Sequence, residues 1–346
     1  MTDATPALLP CTGLWGAATL IESDPAAEVV RNALYRPTHP SIFLDAWHEW
    51  GIYHPDGRLV QACAYYRLPD KALIGQSQHL PPPPDPDQAP PGTYLYGGPV
   101  IMHYGHFLTA ALPRLWQAVR RGLPSGARIL VHSHEAPEAW FQRDYVRAIL
   151  GRLGMEPDRF VRFERPTAIP CLHVPRPALE EQNFAHRVFR DLCLRIGRPL
   201  GAPRGSRIAY LSKTRVANGT FCLMNEAAME DVMRTAGIEV VHPEGLPWAE
   251  QVALLSSCAA VVGTAGSAFH TAIFCEQPPA VLGLAYGPVL NSNYALLDGL
   301  AGVRAQYFHS PSVTPAPSDA ATFPHKAADP AALAQALLQH LPSGAA

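Results

Sequence analysis

From Arg207 to Phe274 short apolar runs alternate with amphipathic stretches, and turn residues punctuate each change. Strands are predicted at Ile208–Leu211, Ile238–Val241 and Ala259–Val262, with helices at Glu226–Ala236 and Pro247–Ser257 between them. Gly237 closes the first helix, Asn225 is its expected N-cap, and proline opens the second. Pro279–Leu284 supplies a further strand. Such alternation builds a parallel sheet with crossover helices, and an open parallel sheet binds ligands at the carboxyl ends of its strands. Two turns fall at such ends: Ser212-Lys213-Thr214-Arg215 and Gly263-Thr264-Ala265-Gly266-Ser267. One offers cations and the other offers backbone N–H groups opening a helix, a pairing suited to a diphosphate. Nucleotide-linked chemistry is therefore the first expectation.

The preceding half shows the same alternation less regularly. Strands are predicted at Thr93–Tyr96, Arg128–Val131 and Phe160–Phe163, and helices at Tyr104–Trp116 and Pro137–Leu153. Phe107, Leu108, Ala111, Leu112, Leu115 and Trp116 form one apolar stripe, which Pro113 is expected to kink. The region around Pro170, Pro175 and Pro177 reads as a connection, followed by a helix from Glu180 to Ile196. Residues 1–80 carry strand-like runs at Ser41–Leu44 and Leu59–Tyr66. The tract from Pro81 to Pro91 is a stiff loop, and its Asp85-x-Asp87 pair reads as a solvated turn rather than a metal site. Asp329 and Pro330 start a last helix reaching about Leu341. The expected class is α/β, with an N-terminal domain over 1–175 and a C-terminal domain over 176–346.

A chain of 346 residues with 48% hydrophobic and 16% charged residues supports two cores, and its formal net charge of -2 argues against nucleic acid as a partner. Seven scattered cysteines without a C-x-x-C pair fit a reducing cytosol better than a disulfide framework or a zinc site. The histidine pairs His103/His106 and His132/His134 have metal-ligand spacing but no clustered third ligand, so no metal site is assigned. No apolar run approaches the ~20 residues needed to span a bilayer, and no signal peptide is apparent. A cytoplasmic protein is expected, with contact at the inner face of the membrane left open.

Tyr104-Gly105-His106-Phe107-Leu108 followed by Leu112-Pro113-Arg114-Leu115-Trp116 is similar to the G-H-F-L…P-R-L-W element of family 61 glycosyltransferases. A second series agrees in the family's order: Arg215, Asn225-Glu226, Gly237-Ile238-Glu239-Val240-Val241, Pro243-Glu244, Glu250-Gln251, Gly263-x-x-Gly266-Ser267-Ala268 and Phe274. The resemblance implies a GT-B fold, two Rossmann-like domains facing across a cleft. It also implies inverting, metal-independent transfer from a nucleotide-sugar, a UDP-sugar in the first instance, to a glycan or lipid-linked oligosaccharide acceptor. No cofactor beyond that donor is implied. Polysaccharide or capsule assembly is the setting such a family suggests. Family members often carry His where Ala265 stands and Asn where Thr271 stands; His270, close by, is the expected substitute for one of them. These departures keep two alternatives open, a GT-B nucleotide-sugar epimerase and a catalytically silent glycan-binding or assembly subunit.

Within that frame each candidate has a chemical reason. His106 is the candidate base, because histidine exchanges a proton near neutral pH and inverting transfer must take one from the acceptor hydroxyl. Arg215 and Lys213 are cations for a departing diphosphate, and Gly266-Ser267 supplies N–H groups. Glu244, after a strand, suits ribose hydroxyls, and Arg114 suits an anionic acceptor. Glu226 reads as a first-turn carboxylate and Glu250-Gln251 as a solvated or packing face.

Overall fold

The computed structural model describes residues 7–38, 49–67, 70–122, 126–216, 221–317 and 323–341; the expected strand Ser41–Leu44 lies outside them. The chain forms two compact units, one of residues 16–196 and one of residues 1–15 with 197–346. Both are α/β. All seven cysteines are free thiols. Among the described residues no helix is long and apolar enough to cross a membrane.

The 16–196 unit is built on strands β1 (Ala27–Arg36), β2 (Gly51–Tyr53), β3 (Tyr94–Pro99), β4 (Arg128–His132), β5 (Phe160–Val161) and β6 (Thr167–Pro175). Their order is β5–β4–β3–β6–β1–β2, and a two-residue strand, Asp87–Gln88, also pairs with β6. Strands β3 to β6 run parallel, but β1 is antiparallel to both β6 and β2. The expected all-parallel sheet is thus corrected to a mixed one. The cause is local: among the described residues before β3 there is no crossover helix, and antiparallel pairing needs none. Tyr35, Ile52, Tyr94, Tyr96, Leu130 and Leu172 fill its core.

Strand β6 replaces the expected connection and runs straight through Pro170. Pro170 has no N–H to give a ladder, and β6 accommodates it at a break in pairing. The register with β1 passes from Ile169↔Ala33 to Cys171↔Arg31, and Asn32 opposite takes a left-handed φ of 51°. The expected helix Pro137–Leu153 also divides, into Pro137–Trp140 and α1 (Asp144–Gly151), because Arg143 is extended.

The segment from Tyr104 to Leu115 is helical throughout but changes pitch, passing from α (Tyr104–His106) to π (Phe107–Ala111) to 3₁₀ (Leu112–Leu115). Pro113 cannot donate to the preceding turn, and the wider and narrower turns absorb that loss instead of a single kink. Where a helix from Glu180 was expected, Leu179–Glu180 and Phe184–His186 pair as a hairpin, and α2 starts only at Arg187, ending at Gly197. Gln182, at φ 56°, makes the turn.

The second unit carries β7 (Arg207–Leu211), β8 (Glu239–Val241), β9 (Cys258–Thr264), β10 (Ala280–Leu284) and β11 (Ala305–His309). They run parallel in the order β8–β7–β9–β10–β11, and Leu9–Pro10 adds an antiparallel edge to β11. Its helices are α3 (Ala227–Thr235), α4 (Trp248–Ser257), α5 (Ser292–Ala301) and α6 (Pro330–Leu338). The Asp329 side chain accepts from Ala332 N–H at 2.9 Å, as the cap expected there should.

Met229 and Met233 of α3 and Leu333 and Leu337 of α6 cover one sheet face at Ile208, Tyr210, Val262 and Leu282. Each such side chain contributes about 1.5–3 kcal/mol on burial. The opposite face meets a 3₁₀ helix, Ser267–Phe274, against which α4 and α5 pack. Gly283 lets that face close: a Cβ there would lie 2.4 Å from the Tyr307 ring and 3.3 Å from Phe269. Helical segments on both faces make this sheet doubly wound, so its apolar strands are buried on both sides. The parallel strands of the sheet begin at β7, move outward to β8, then cross back to β9. The topological switch point therefore lies between β7 and β9.

Candidate active site

At the carboxyl ends of β7 and β9 the two turns singled out in the sequence meet. The Lys213 ammonium donates to the Ala265 carbonyl at 3.0 Å. A Cβ at Gly266 would lie 3.1 Å from the Lys213 Nζ, so glycine leaves room for that ammonium. Gly263 is needed for strand contact, since a Cβ there would lie 2.6 Å from the Leu211 carbonyl oxygen. Burial lowers the lysine's pKa, and the Glu226 carboxylate opposes that fall.

Glu226 is 1% exposed. It accepts from the Tyr210 hydroxyl at 2.9 Å and the Lys213 N–H at 3.3 Å. Burial nevertheless pushes its carboxyl up to about 7. Expected as a first-turn carboxylate, it is a buried acid beside the candidate phosphate turn. Asn225 is not the N-cap of α3. Its amide exchanges two hydrogen bonds with the backbone of Ala327, at 2.8 and 3.1 Å, and so is unavailable to the helix start. The Ser212 and Thr214 hydroxyls both donate to Glu230 Oε1 at 2.6 Å. Although burial acts against it, those bonds and Arg234 hold the Glu230 carboxyl below its ordinary range. The turn is thus pinned from below.

Around this pair the other expected donor contacts are distributed unevenly. Ser267 opens the 3₁₀ helix next to Gly266 and is partly exposed, while Arg215 is exposed at the end of its turn. Glu244 lies in the turn after β8, exposed, 4.0 Å from His242 Nδ1. His270 is buried, its ring 4.7 Å from that of Tyr294. Lys213, Gly266 and Ser267 come together; Glu244 belongs to the strand on the other side of β7.

A separate cluster lies in the 16–196 unit around a buried carboxylate, Glu181, which is 3% exposed. Its Oε1 accepts from the Thr109 hydroxyl at 2.9 Å and lies 3.4 Å from His106 Nδ1. Its Oε2 accepts from the Tyr65 hydroxyl at 2.7 Å and lies 3.3 Å from Arg67 Nε. Burial alone would raise this carboxyl, but His106, Arg67 and Tyr65 more than offset it and hold it at about 2. His106 sits where the α turn gives way to the π segment, and its side chain is partly exposed. Glu181 escaped the sequence reading because Glu180-Glu181-Gln182 resembles the start of a helix. The only hint was Asn183, a residue that favours turns.

Arg114 is 2% exposed. Its guanidinium donates to the carbonyls of Ala62, Pro175 and Ala64 at 2.7, 3.2 and 3.1 Å and lies over the Tyr96 ring. It joins three chain segments from within the core. His132 is likewise internal, bonded to Tyr96 and stacked on Tyr35, and burial lowers its pKa to about 3. Asp87 pairs with Arg165 at 3.5 Å. Among the described residues no three His, Cys, Asp or Glu side chains are grouped to hold a metal ion.

Residues 104–282, just over half of the sequence, match the sequence pattern described as glycosyltransferase 61. The chain belongs to glycosyltransferase family 61. A comparison with curated proteins returns no match. The matched span contains His106, Glu181, Lys213, Glu226 and the Gly266-Ser267 turn. Membership of family 61 implies glycosyl transfer, with a sugar donor and an acceptor as substrates.

Proposed function

We propose that this family 61 protein is an inverting glycosyltransferase of GT-B type that uses a nucleotide-sugar, a UDP-sugar in the first instance, without a bound metal. The 197–346 unit is assigned the donor and the 16–196 unit the acceptor, a glycan or lipid-linked oligosaccharide. The observation that carries the donor assignment is the Lys213–Ala265 contact at the β7/β9 switch point. It sets an ammonium beside the N–H groups of a glycine turn where open parallel sheets take their ligands. Lys213 and the Gly266-Ser267 turn would hold the diphosphate, with Arg215 free to add a second cation.

In the transfer step the acceptor hydroxyl oxygen bonds to the anomeric carbon while the bond from that carbon to the β-phosphate oxygen breaks. The hydroxyl proton passes to His106, and the electron pair of the broken bond leaves with the nucleoside diphosphate. Developing charge on the β-phosphate is what Lys213 and the turn N–H groups stabilise. The test is thermal unfolding of the protein with UDP, GDP, CMP and dTDP sugars in the presence of a chelator. At about 100 times its dissociation constant a bound donor adds about 2.7 kcal/mol. Stabilisation by one nucleotide class supports the donor site. No shift with any class, from a folded sample, sinks the reading and favours a silent subunit.

A further inference from the structure

We infer that Glu181 is a positioning residue for His106, fixing its imidazole as the Nδ1–H tautomer and so leaving the lone pair on Nε2. The inference deepens the proposed transferase reading, on which the role of His106 as base rests. An imidazole acts as a base only through the nitrogen that carries no proton, and the partner of the other nitrogen decides which that is. A carboxylate 3.4 Å from Nδ1 can only accept, so it favours a proton on Nδ1. Nε2 is then the unprotonated edge of the ring, turned away from Glu181 by the geometry of the imidazole itself.

Three features make Glu181 suited to orienting rather than to reacting. Thr109 and His106 share Oε1 while Tyr65 and Arg67 share Oε2, so the carboxylate is anchored at both oxygens by side chains from separate parts of the chain. The same hydroxyl lies 3.0 Å from the Gly105 carbonyl, so its one proton sits between Glu181 and the helical segment that carries His106. Finally, the carboxylate is nearly inaccessible, which keeps it from contacting a substrate directly. Its charge is retained despite burial, so it is also placed to stabilise the imidazolium formed when the proton arrives.

The tautomer is measured first, on the wild-type protein with ¹⁵N-labelled histidine, the His106 signals being assigned by their loss in His106→Gln. Protonated Nδ1 with bare Nε2 is expected; the reverse tautomer would overturn the inference. In Glu181→Gln, whose amide can donate to Nδ1 as well as accept from it, the signals should shift toward the Nε2–H form. An unchanged tautomer there counts equally against it. Kinetics give the second arm. Glu181→Gln should lower kcat by about 10²–10⁴ while nucleotide affinity stays at the wild-type value. The double variant with His106→Ala should be no slower than the slower single variant. Independent, multiplying losses would show that Glu181 does not act through His106. Should Glu181→Gln fail to fold, the wild-type tautomer decides. Should the wild type transfer no sugar at all, the transferase reading falls, while the tautomer measurement still judges Glu181.

Discussion

Lys213 and Ala265, 52 positions apart in the chain, are tied by a single 3.0 Å hydrogen bond from ammonium to carbonyl. It joins the turn after β7 to the turn after β9, the two that flank the switch point. Lys213→Met keeps most of the side chain's bulk and removes the charge. A hydrogen bond from a charged group is worth about 1.5–3 kcal/mol. The variant should therefore bind nucleotide roughly 10–100-fold more weakly by calorimetry, and without ligand it should be less stable by about 1–3 kcal/mol because the Ala265 carbonyl loses its donor. Wild-type nucleotide affinity in Lys213→Met would remove Lys213 from the donor site.

Arg114 holds three backbone carbonyls together, so its replacement should be read in stability and not in acceptor affinity. Arg114→Lys retains the charge but has no planar fork to reach Ala62, Ala64 and Pro175 at once. A loss of about 2–4 kcal/mol is expected in denaturant unfolding of the 16–196 unit, in line with stranding buried polar groups. Gly98→Ala should act at the same place. Its φ is +81° and a new Cβ would meet the Arg114 side chain at 2.5 Å. An unchanged unfolding midpoint in both variants would contradict the bracing role.

Glu181 on one side, and Glu226 and Asp298 on the other, should answer acid in opposite directions, while Glu230 of the 197–346 unit follows Glu181. Glu181 has a folded-state pKa depressed to about 2, so its stabilising effect is present above the unfolded value near 4.3 and is lost as pH falls toward 2. Glu226 and Asp298, in the other unit, are both raised to about 7 by burial. Their effect is fully present below about pH 4 and is lost as pH rises through 7. Hydrogen exchange between pH 7 and 3, corrected for intrinsic rates, should show protection falling around Tyr65 and Thr109 while it holds or rises around Asp298 and Tyr307. Parallel loss at both places would refute this.

Asp298 allows the second half of that argument to be isolated. Its carboxylate accepts from the Tyr307 hydroxyl at 2.8 Å, and burial makes its charged form unfavourable. Asp298→Asn keeps an acceptor for Tyr307 without the charge. Above pH 7 the variant should be more stable than the wild type by up to a few kcal/mol, since burial has raised the Asp298 carboxyl to about 7. Near pH 4 the two should unfold alike. A variant less stable than wild type at pH 8 would show that the charged carboxylate is favourable in the fold.

The sheet of the 197–346 unit was legible because its strands are buried on both faces. Ala259–Val262 and Pro279–Leu284, read as apolar runs, are the centres of β9 and β10. Turn chemistry at Gly237, Asp329 and Pro330 fixed helix ends for local reasons, and these too were readable. What stayed hidden depends on partners distant in sequence. Strand β6 carries Pro170, and only the left-handed Asn32 on β1 reveals how a proline fits there. Glu181 and Glu226 look like ordinary surface acids until Tyr65, Thr109, Tyr210 and Lys213 are brought against them. The same holds for Arg114, whose motif neighbours suggest substrate contact while its bonds run inward.

Leu9–Pro10 lies antiparallel on the edge of β11, so the chain's opening residues finish a sheet whose other strands come some two hundred positions later. The 16–196 unit is therefore an insertion within its companion. A fragment starting at residue 197 would lack an edge strand and expose the open side of β11 to self-association. On the ribosome, Leu9–Pro10 must wait until Ala305–His309 has been made before it has that partner. The inserted unit, complete much earlier, is free to mature first.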